Sequence, residues 1–277
     1  MKALKQFAQL YLQKRPFFFS LIRPLELQLW LEHANLLQGE ILDFGCGDGV
    51  FFDCLNQVLS SQGSKQVCLT GVDLPTSRIQ QAERSNSYKD LVTYEGERLP
   101  FADESFDCLV SNSVLEHVEL LSSTLKELNR VLKPGGLMVV TVMTKQWEEG
   151  LFGARLLGKK YARWFRQKQQ HPQLLTMEGW QVSFADAGFS LEKKMTYLFQ
   201  LESWLLELFH YFSLDALLAQ KLFSRWVLWP KLYKHHPLLP FLNMINQRSY
   251  RRAAVLEFSL KRRENDGSAG FFVLRKG

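Results

Sequence analysis

The residues best suited to chemistry are concentrated in one short segment, where an acidic residue is followed by alternating glycines. An apolar run, residues 41–42, leads into Asp43, and the glycines follow at every second position: Gly45, Gly47 and Gly49. Glycine lacks a Cβ and tolerates positive φ, so such a turn after a buried strand lets the backbone come close to a ligand. A dinucleotide-binding turn would have its third glycine at position 50, where this chain has Val50. The spacing therefore favours a different cofactor, and a simple tight turn is the alternative.

A second acidic residue ends the next apolar run. Residues 67–72 lead into Asp73, 24 residues after Gly49. A carboxylate at the end of a strand can accept two hydrogen bonds from a ribose diol, and such charge-assisted bonds are strong. Because Pro75 follows two residues later, the alternative is that Asp73 belongs to a turn or caps a helix.

Three further segments follow in order, at residues 94–101, 105–118 and 128–142. Together with the first two segments they define a region of roughly residues 39–145. Over this span the chain resembles the type-11 (ubiquinone/menaquinone-biosynthesis-like) methyltransferase domain of the class I S-adenosylmethionine (SAM) methyltransferases. The resemblance implies that SAM is the cofactor and that it binds at the carboxyl edge of an α/β sheet.

The resemblance also implies which residues contact SAM. The turn from Asp43 to Gly49 should hold the methionine end, and Asp43 should meet the cationic amine directly or through water. Asp73 should accept from the ribose hydroxyls, and Glu95, where the family usually has Asp, should face adenine. Two residues after the fourth core strand should border the methionine carboxylate or the sulfonium. The expected set is Asp43, Gly45, Cys46, Gly47, Gly49, Asp73, Leu74, Glu95, Gly96, Ser111 and Asn112.

The catalytic group is harder to find than the cofactor contacts. Methyl transfer from a sulfonium requires mainly proximity and orientation, although a hydroxyl acceptor can also require a general base. His117, just after the fourth predicted strand, is the candidate base; the alternative is that it only orients its loop. No metal site is predicted, because His235 and His236 lack a spaced partner and the four cysteines form no CxxC pair.

The alternation of strands and helices predicts an α/β fold, a doubly wound, mostly parallel, seven-stranded Rossmann-like sheet. The predicted strands are residues 40–44, 67–72, 91–94, 106–111, 137–143, 189–199 and 270–275. The predicted helices of this domain are residues 49–60, 76–86, 119–132 and 176–187.

Three regions are predicted along the chain. Residues 1–38 form a helical extension broken at Pro16 and Pro24, residues 39–199 plus 269–277 form the SAM-binding domain, and residues 200–268 form a helical insertion before the last strand.

The insertion and the connection at residues 144–175 both leave the carboxyl edge of the sheet, where open α/β sheets bind ligands. We therefore expect them to converge there as a helical lid. Aromatic residues of the insertion suit an apolar acceptor, and core packing or a dimer contact is the alternative: Trp204, Phe209, Tyr211, Phe212, Trp226 and Trp229.

Charge is distributed unevenly. Residues 1–150 have a balance of −5 and residues 151–277 a balance of +11, within a net charge of +6. The basic half indicates an anionic partner, such as a nucleic acid, an anionic membrane surface or a phosphorylated substrate. A nucleic-acid substrate is disfavoured, because residues 111–114 read Ser-Asn-Ser-Val and lack an Asn-Pro-Pro-Tyr-like base-flipping motif.

The scattered cysteines indicate reduced thiols and a cytoplasmic protein. No apolar run approaches the ~18 residues of a membrane span, so any membrane contact should be peripheral, at the inner face. The predicted function is SAM-dependent methylation, most simply at an oxygen, of a small-molecule, glycan or lipid-linked acceptor. Two alternatives remain: C-methylation of an isoprenoid quinone-like substrate, and a non-catalytic SAM-fold binding protein. The oligomeric state is left open.

Overall fold

The computed structural model describes residues 2–95, 98–211, 214–223, 235–258 and 267–277, and these form one seven-stranded sheet flanked by helices. The strands are β1 (Ile41–Phe44), β2 (Leu69–Asp73), β3 (Tyr88–Thr93), β4 (Phe106–Asn112), β5 (Leu132–Met143), β6 (Phe189–Tyr197) and β7 (Ala269–Lys276). Their spatial order is β3-β2-β1-β4-β5-β7-β6. Strands β1 to β5 are parallel, and β7 runs antiparallel to both β5 and β6. The predicted fold class is confirmed.

Helices cover both faces of the sheet, which is why β1 is buried on both sides. The helices before β6 are α1 (Lys2–Lys14), α2 (Phe19–Glu32), α3 (Val50–Ser61), α4 (Ile79–Ala82), α5 (Leu121–Val131), α6 (Lys145–Gly150), α7 (Phe152–Leu157), α8 (Lys159–Gln169) and α9 (Met177–Asp186). Between β6 and β7 lie α10 (Gln200–Tyr211), α11 (Leu214–Phe223) and α12 (Leu239–Phe258).

The side chains of successive strand residues divide the core into two layers. Val110 and Val139 face a layer built with α1, α2 and α3, in which Trp30 and Phe52 are almost completely buried. Their neighbours in sequence, Leu109 and Val140 among them, face the other layer, which is closed by α5 and α9. This alternation fixes the register of the central strands, since a shift of one residue would exchange the two layers.

The N-terminal helices differ from the sequence prediction at one proline. The chain is interrupted at Pro16, as predicted, but α2 continues through Pro24. A proline has no N–H to donate to the carbonyl four residues earlier, here that of Ser20. In this protein Asn246 Nδ2 on α12 donates to the Ser20 oxygen at 3.1 Å instead. The prediction of a break at Pro24 was therefore wrong, because a tertiary hydrogen bond satisfies the exposed carbonyl.

Two other elements have bounds that the sequence did not predict. The helix expected at residues 76–86 is only the single turn α4, because the Ser77 and Ser85 hydroxyls accept backbone N–H groups at its two ends. Strand β5 begins at Leu132, before the Pro-Gly-Gly stretch, and its pairing with β4 is irregular there. Among the described residues, no helix has the length and apolar character needed to cross a bilayer.

Candidate active site

The glycine turn between β1 and α3 has the backbone geometry that its sequence indicates. The three glycines have φ values of +79°, +58° and +72°. A Cβ on Gly45 would lie 2.5 Å from the Val114 side chain, and one on Gly49 would lie 2.9 Å from Tyr88. A Cβ on Gly47 would meet no atom of the described residues within 4 Å. The first and third glycines are thus required by packing, whereas Gly47 faces open space that a ligand can occupy.

Asp73, at the end of β2, holds this turn in place. Its Oδ2 accepts from the Gly47 amide at 2.6 Å, and its Oδ1 accepts from the Leu74 amide at 2.7 Å. Burial raises the pKa of Asp73 above its ordinary value, while these two backbone hydrogen bonds oppose the rise. Each carboxylate oxygen has a second lone pair, so Asp73 can still accept from a diol while it supports the turn.

Asp43 lies beneath the turn and is 3% exposed. Its Oδ2 accepts a hydrogen bond of 2.7 Å from the Tyr88 hydroxyl on β3. Burial raises the pKa of Asp43 to about 7, the Tyr88 hydrogen bond lowers it, and the nearby charge of Asp73 raises it. Sequence reasoning missed Tyr88, because β3 was expected to begin three residues later, at residue 91.

The turn forms one wall of a cleft of about 280 Å³, which we call the cofactor cleft. Helix α3, with Val50, Phe51 and Phe52, and the segment after β4 also line it. The N-terminal helices and their connection close it with four further side chains: Tyr11, Arg15, Phe19 and Arg23. Arg15 forms an ion pair with Asp48 of the glycine turn. This N-terminal contribution was not predicted, since these residues form no recognisable motif.

The other residues that were predicted to contact SAM vary in their burial and in their hydrogen-bond partners. Ser111 is completely buried, and its hydroxyl donates to the Phe44 carbonyl at 3.0 Å. Asn112 lines the cofactor cleft, but its amide oxygen already accepts from Trp30 Nε1 at 3.0 Å. Cys46 also lines the cleft, and burial raises the pKa of its thiol. Glu95 is exposed, and Gly96 lies outside the described residues.

A buried carboxylate organises the wall opposite the glycine turn. Glu26 on α2 is completely buried and accepts from Arg23 Nη1 at 2.5 Å and from the Ser113 hydroxyl at 2.9 Å. It also accepts from the Tyr197 hydroxyl at 2.9 Å and from Asn112 Nδ2 at 3.2 Å. These bonds join α2, β4 and β6 and fix the Arg23 guanidinium at the edge of the cleft.

A second cavity of about 290 Å³ adjoins the first, and we call it the inner cavity. Phe19, Arg23 and Ser113 line both cavities. Much of the inner wall is apolar and comes from α2 and the residue before it, the 144–175 connection and α10: Phe18, Ile22, Trp147, Phe165 and Leu206. Residues of the connection and of the insertion thus line the same cavity. Of the aromatic residues predicted for the insertion, Phe212, Trp226 and Trp229 lie outside the described residues.

His117, the predicted base, follows β4 and lines the inner cavity. Its Nδ1 is 2.9 Å from the Gln170 carbonyl oxygen, and its ring centroid is 4.6 Å from that of His171. Desolvation of the imidazole lowers the pKa of His117, although part of the residue reaches solvent. The neighbouring Glu116 is buried and lines the same cavity.

Comparisons with known proteins agree with this geometry. Residues 42–140 match the family model described as "Methyltransferase domain". The chain is 26% identical over 167 residues to a ubiquinone biosynthesis O-methyltransferase of Brucella melitensis, covering 59% of this chain and 65% of the relative. It is 29% identical over 188 residues to a demethylmenaquinone methyltransferase of Staphylococcus epidermidis, covering 59% of this chain and 75% of the relative. The match to the Brucella protein thus spans just under two thirds of that relative's length.

Solved structures show the same fold at low sequence identity. A geranyl diphosphate methyltransferase solved with SAM has a TM-score of 0.53 and 15% identity, with 94% of this chain and 90% of that chain covered. The cyclase SpnF also has a TM-score of 0.53, with 17% identity and coverage of 91% and 80%. Residues 42–140 therefore form a methyltransferase domain, and the predicted class I SAM-dependent type is confirmed. The cofactor of this domain is SAM. The open space at Gly47 and the buried carboxylates fit that cationic ligand.

Proposed function

We propose that the protein is a SAM-dependent methyltransferase that methylates an oxygen of a small-molecule, glycan or lipid-linked acceptor. The observation that carries this proposal is the wall shared by the cofactor cleft and the inner cavity, formed by Phe19, Arg23 and Ser113. A donor in the cleft and an acceptor in the cavity would meet at this wall. Holding the two reactants together in the reactive orientation can supply a large part of the rate enhancement of methyl transfer.

Three of the residues predicted from the sequence have roles in this mechanism. When bound, SAM supplies an electrophilic methyl group. Asp43 and Asp73 contribute negative charge and hydrogen-bond acceptors at the glycine turn. The apolar inner wall excludes water from the acceptor, and His117 at its edge is the candidate for removing a hydroxyl proton.

The shape and charge of the inner cavity suggest the chemical class of the acceptor. Its apolar wall suits a ring or a hydrocarbon chain, while Arg23 suits an anionic group. Arg163 and Arg166 add basic groups in a neighbouring pocket, which shares His117 and His171 with the inner cavity. The Brucella and Staphylococcus relatives are named for ubiquinone biosynthesis O-methylation and for demethylmenaquinone methylation. An apolar, lipid-linked acceptor is consistent with both, and the second name favours C-methylation of a quinone-like ring as the alternative.

The test is methyl transfer from labelled SAM by the full-length purified protein. Two matched acceptors are offered: a hydroxylated benzoquinol with an isoprenoid tail, and a demethylated naphthoquinol with the same tail. We expect label on an oxygen of the first, and mass spectrometry of the product locates it. Label on ring carbon of the second would establish the C-methyltransferase alternative. SAM binding without transfer to these or to fractionated lipid and glycan extracts would favour the non-catalytic binding protein.

We also propose that the acceptor is reached from an anionic membrane surface, at the cytoplasmic face. The surface of α7 and α8, which we call the α7–α8 surface, combines exposed apolar and basic side chains. Its members are Phe152, Leu156, Leu157, Lys159, Lys160, Arg163 and Trp164. Arg163 also lines the neighbouring pocket that shares His117 and His171 with the inner cavity, so this surface lies next to the proposed acceptor site. In this proposal the helices of the 144–175 connection and the 200–268 insertion form the lid over the acceptor.

A further inference from the structure

Three potential metal ligands that are separated in sequence come together at the inner cavity. They are Glu116, His117 and His171, and one ligand atom from each lies within 4.8 Å of the others. All three residues line the cavity. His171 lies in the connection between β5 and β6, beyond the matched domain of residues 42–140. No sequence motif links His171 to the other two residues.

Within the part of the chain that the structure describes, two of these side chains carry buried polar atoms without a partner. Glu116 is 0% exposed; its Oε1 accepts from the Met143 amide at 3.2 Å, but its Oε2 has no hydrogen-bond partner among the described residues. His171 is 7% exposed, and its Nδ1 also has none among these residues. Leaving a buried polar group unpaired is destabilising, and more so for a charged group. Two such atoms in one cluster indicate a ligand that would satisfy both.

The third side chain is oriented as a ligand by its surroundings. A carbonyl oxygen can only accept, so the 2.9 Å contact between His117 Nδ1 and the Gln170 oxygen requires a proton on Nδ1. The neutral ring then has its free lone pair on Nε2. Histidine ligands in metal sites nearly always donate their other ring N–H to a carbonyl or a carboxylate in this way. Gln170 ends α8 with a left-handed φ of +54°, and that conformation positions its carbonyl.

From this geometry we propose that Glu116, His117 and His171 bind one divalent transition-metal ion at the wall of the inner cavity. Two imidazole nitrogens and one carboxylate oxygen suit Zn²⁺, Co²⁺ or Mn²⁺, whereas Mg²⁺ and Ca²⁺ prefer oxygen ligands throughout. Three protein ligands leave coordination positions open for an oxygen-bearing molecule in the cavity. In this site His117 is a metal ligand, and it then does not act as the general base for methyl transfer. The identification of this oxygen-bearing molecule as a methyl acceptor rests on the proposed function. Binding of the metal ion does not depend on the proposed function.

The cationic side chains near the three ligands do not prevent metal binding. Arg166 lies 3.6 Å from Glu148 and donates to the backbone oxygens of His171 and Pro172. Arg23, which lines the same cavity, is paired with Glu26. Their charges are therefore partly neutralised, and the cluster itself supplies one carboxylate to offset the charge of the ion.

The test measures metal binding directly, without SAM or acceptor. The full-length protein is stripped with a chelator, and Zn²⁺ is titrated by calorimetry; Co²⁺ is then added as a spectroscopic probe. We expect one Zn²⁺ per chain and visible Co²⁺ bands of a low-symmetry site with nitrogen ligands. Loss of a residue that only hydrogen-bonds to a metal ligand already weakens metal binding about 10–100-fold. Loss of a ligand itself should cost at least as much, so Glu116→Gln and His171→Ala should each weaken Zn²⁺ binding at least tenfold. His210→Ala, which changes another histidine of the same cavity, should leave Zn²⁺ affinity unchanged.

The outcomes separate this proposal from the proposed function. Failure of the wild-type protein to bind Zn²⁺ or Co²⁺, or equal affinity in all three variants, would overturn the metal site even if methyl transfer is observed. Circular dichroism establishes that each variant is folded. If His171→Ala is unfolded, the loss of nitrogen-ligand Co²⁺ bands in the milder Glu116→Gln and His171→Gln variants decides the question.

Discussion

The hydroxyl of Tyr88 donates a 2.7 Å hydrogen bond to Oδ2 of Asp43 and thereby joins β3 to the end of β1 across the intervening strand β2. The bond passes beside the glycine turn, where Tyr88 also lies against Gly49. Asp43 therefore has a structural partner in addition to its expected role toward SAM. Because burial raises the pKa of Asp43 to about 7, its protonation should affect the stability of the protein.

The first prediction concerns pH and stability. A carboxyl group whose pKa is higher in the folded than in the unfolded state binds its proton more tightly in the folded state. The free energy of unfolding therefore falls as the pH rises between the two pKa values. For Asp43 this window runs from about pH 4 to about pH 7. Without SAM, the free energy of unfolding of the wild type should fall by on the order of 4 kcal/mol across this window, and Asp43→Asn should abolish that fall. Denaturant unfolding as a function of pH measures both proteins. Parallel pH profiles for wild type and variant would contradict the assignment.

The second prediction uses two glycines that differ only in location. Gly47 and Gly63 both have positive φ, +58° and +70°, and within the described part of the chain a Cβ on either would have no neighbour within 4 Å. Both alanine variants should lose similar stability, of order 1 kcal/mol, from backbone strain. Only Gly47→Ala should weaken SAM binding, by tenfold or more, because its methyl group projects into the cofactor cleft. Calorimetry checks both variants, and equal SAM affinities would show that the cofactor does not approach Gly47.

The third prediction concerns Asp73 and the ribose. If its carboxylate accepts from both hydroxyls, Asp73→Ala should weaken binding of SAM and of S-adenosylhomocysteine by at least ~2 kcal/mol, the scale of a charge-assisted hydrogen bond. Part of that loss will come from the Gly47 amide, which Asp73 also holds. Deoxygenated ribose analogues of SAM separate the two effects, because their loss of affinity in the variant reports only the disturbed turn. The additional loss that is seen with SAM reports the contacts to the ribose hydroxyls. Asp90→Ala, an exposed change on β3, serves as control.

The fourth prediction contrasts a buried ion pair with a surface pair. Glu26 is fully buried and compensates Arg23, so Glu26→Ala leaves an unpaired charge and should lower the free energy of unfolding by about 3–5 kcal/mol. Glu192 pairs with Arg275, and both side chains are more than a third exposed. Glu192→Ala should therefore cost at most about 1 kcal/mol. Denaturant unfolding of the two variants measures the contrast, and similar losses would show that Glu26 is not the centre of the network.

Much of the sheet could be predicted because its signals are local. The glycine turn, the acids that end β1 and β2 and the alternation of strands and helices are properties of neighbouring residues. Helix α2 was predicted incorrectly because the donor for the Ser20 carbonyl, Asn246, lies 226 residues away. Tyr88 was missed for a similar reason, since only the sheet order shows that its hydroxyl reaches Asp43.

The candidate site was predictable only where one motif supplies it. The cofactor turn lies within a few residues of sequence, but the inner cavity combines α2, the segment after β4, the 144–175 connection and α10. No sequence pattern relates Glu26 to Tyr197, or His117 to His171, because each pair is brought together only by the packing of α2 and of the connection. These contacts depend on long-range structure, and sequence periodicity carries no information about them.

The last prediction concerns the α7–α8 surface. Exposed basic residues near an anionic bilayer contribute about 1 kcal/mol each, so replacing Lys159, Lys160 and Arg163 together with Gln should weaken binding to anionic vesicles by about 100-fold. A matched triple variant, Lys65, Arg84 and Lys126 to Gln, removes the same charge from exposed positions of the methyltransferase domain and should bind as the wild type does. Sedimentation with anionic and neutral vesicles at low and high salt measures both. Salt-sensitive binding that only the first triple variant loses would support the surface, because a nonspecific effect of net charge would weaken both variants equally. Absence of binding to anionic vesicles, or equal loss in the two variants, would mean that an acceptor reaches the inner cavity from solution.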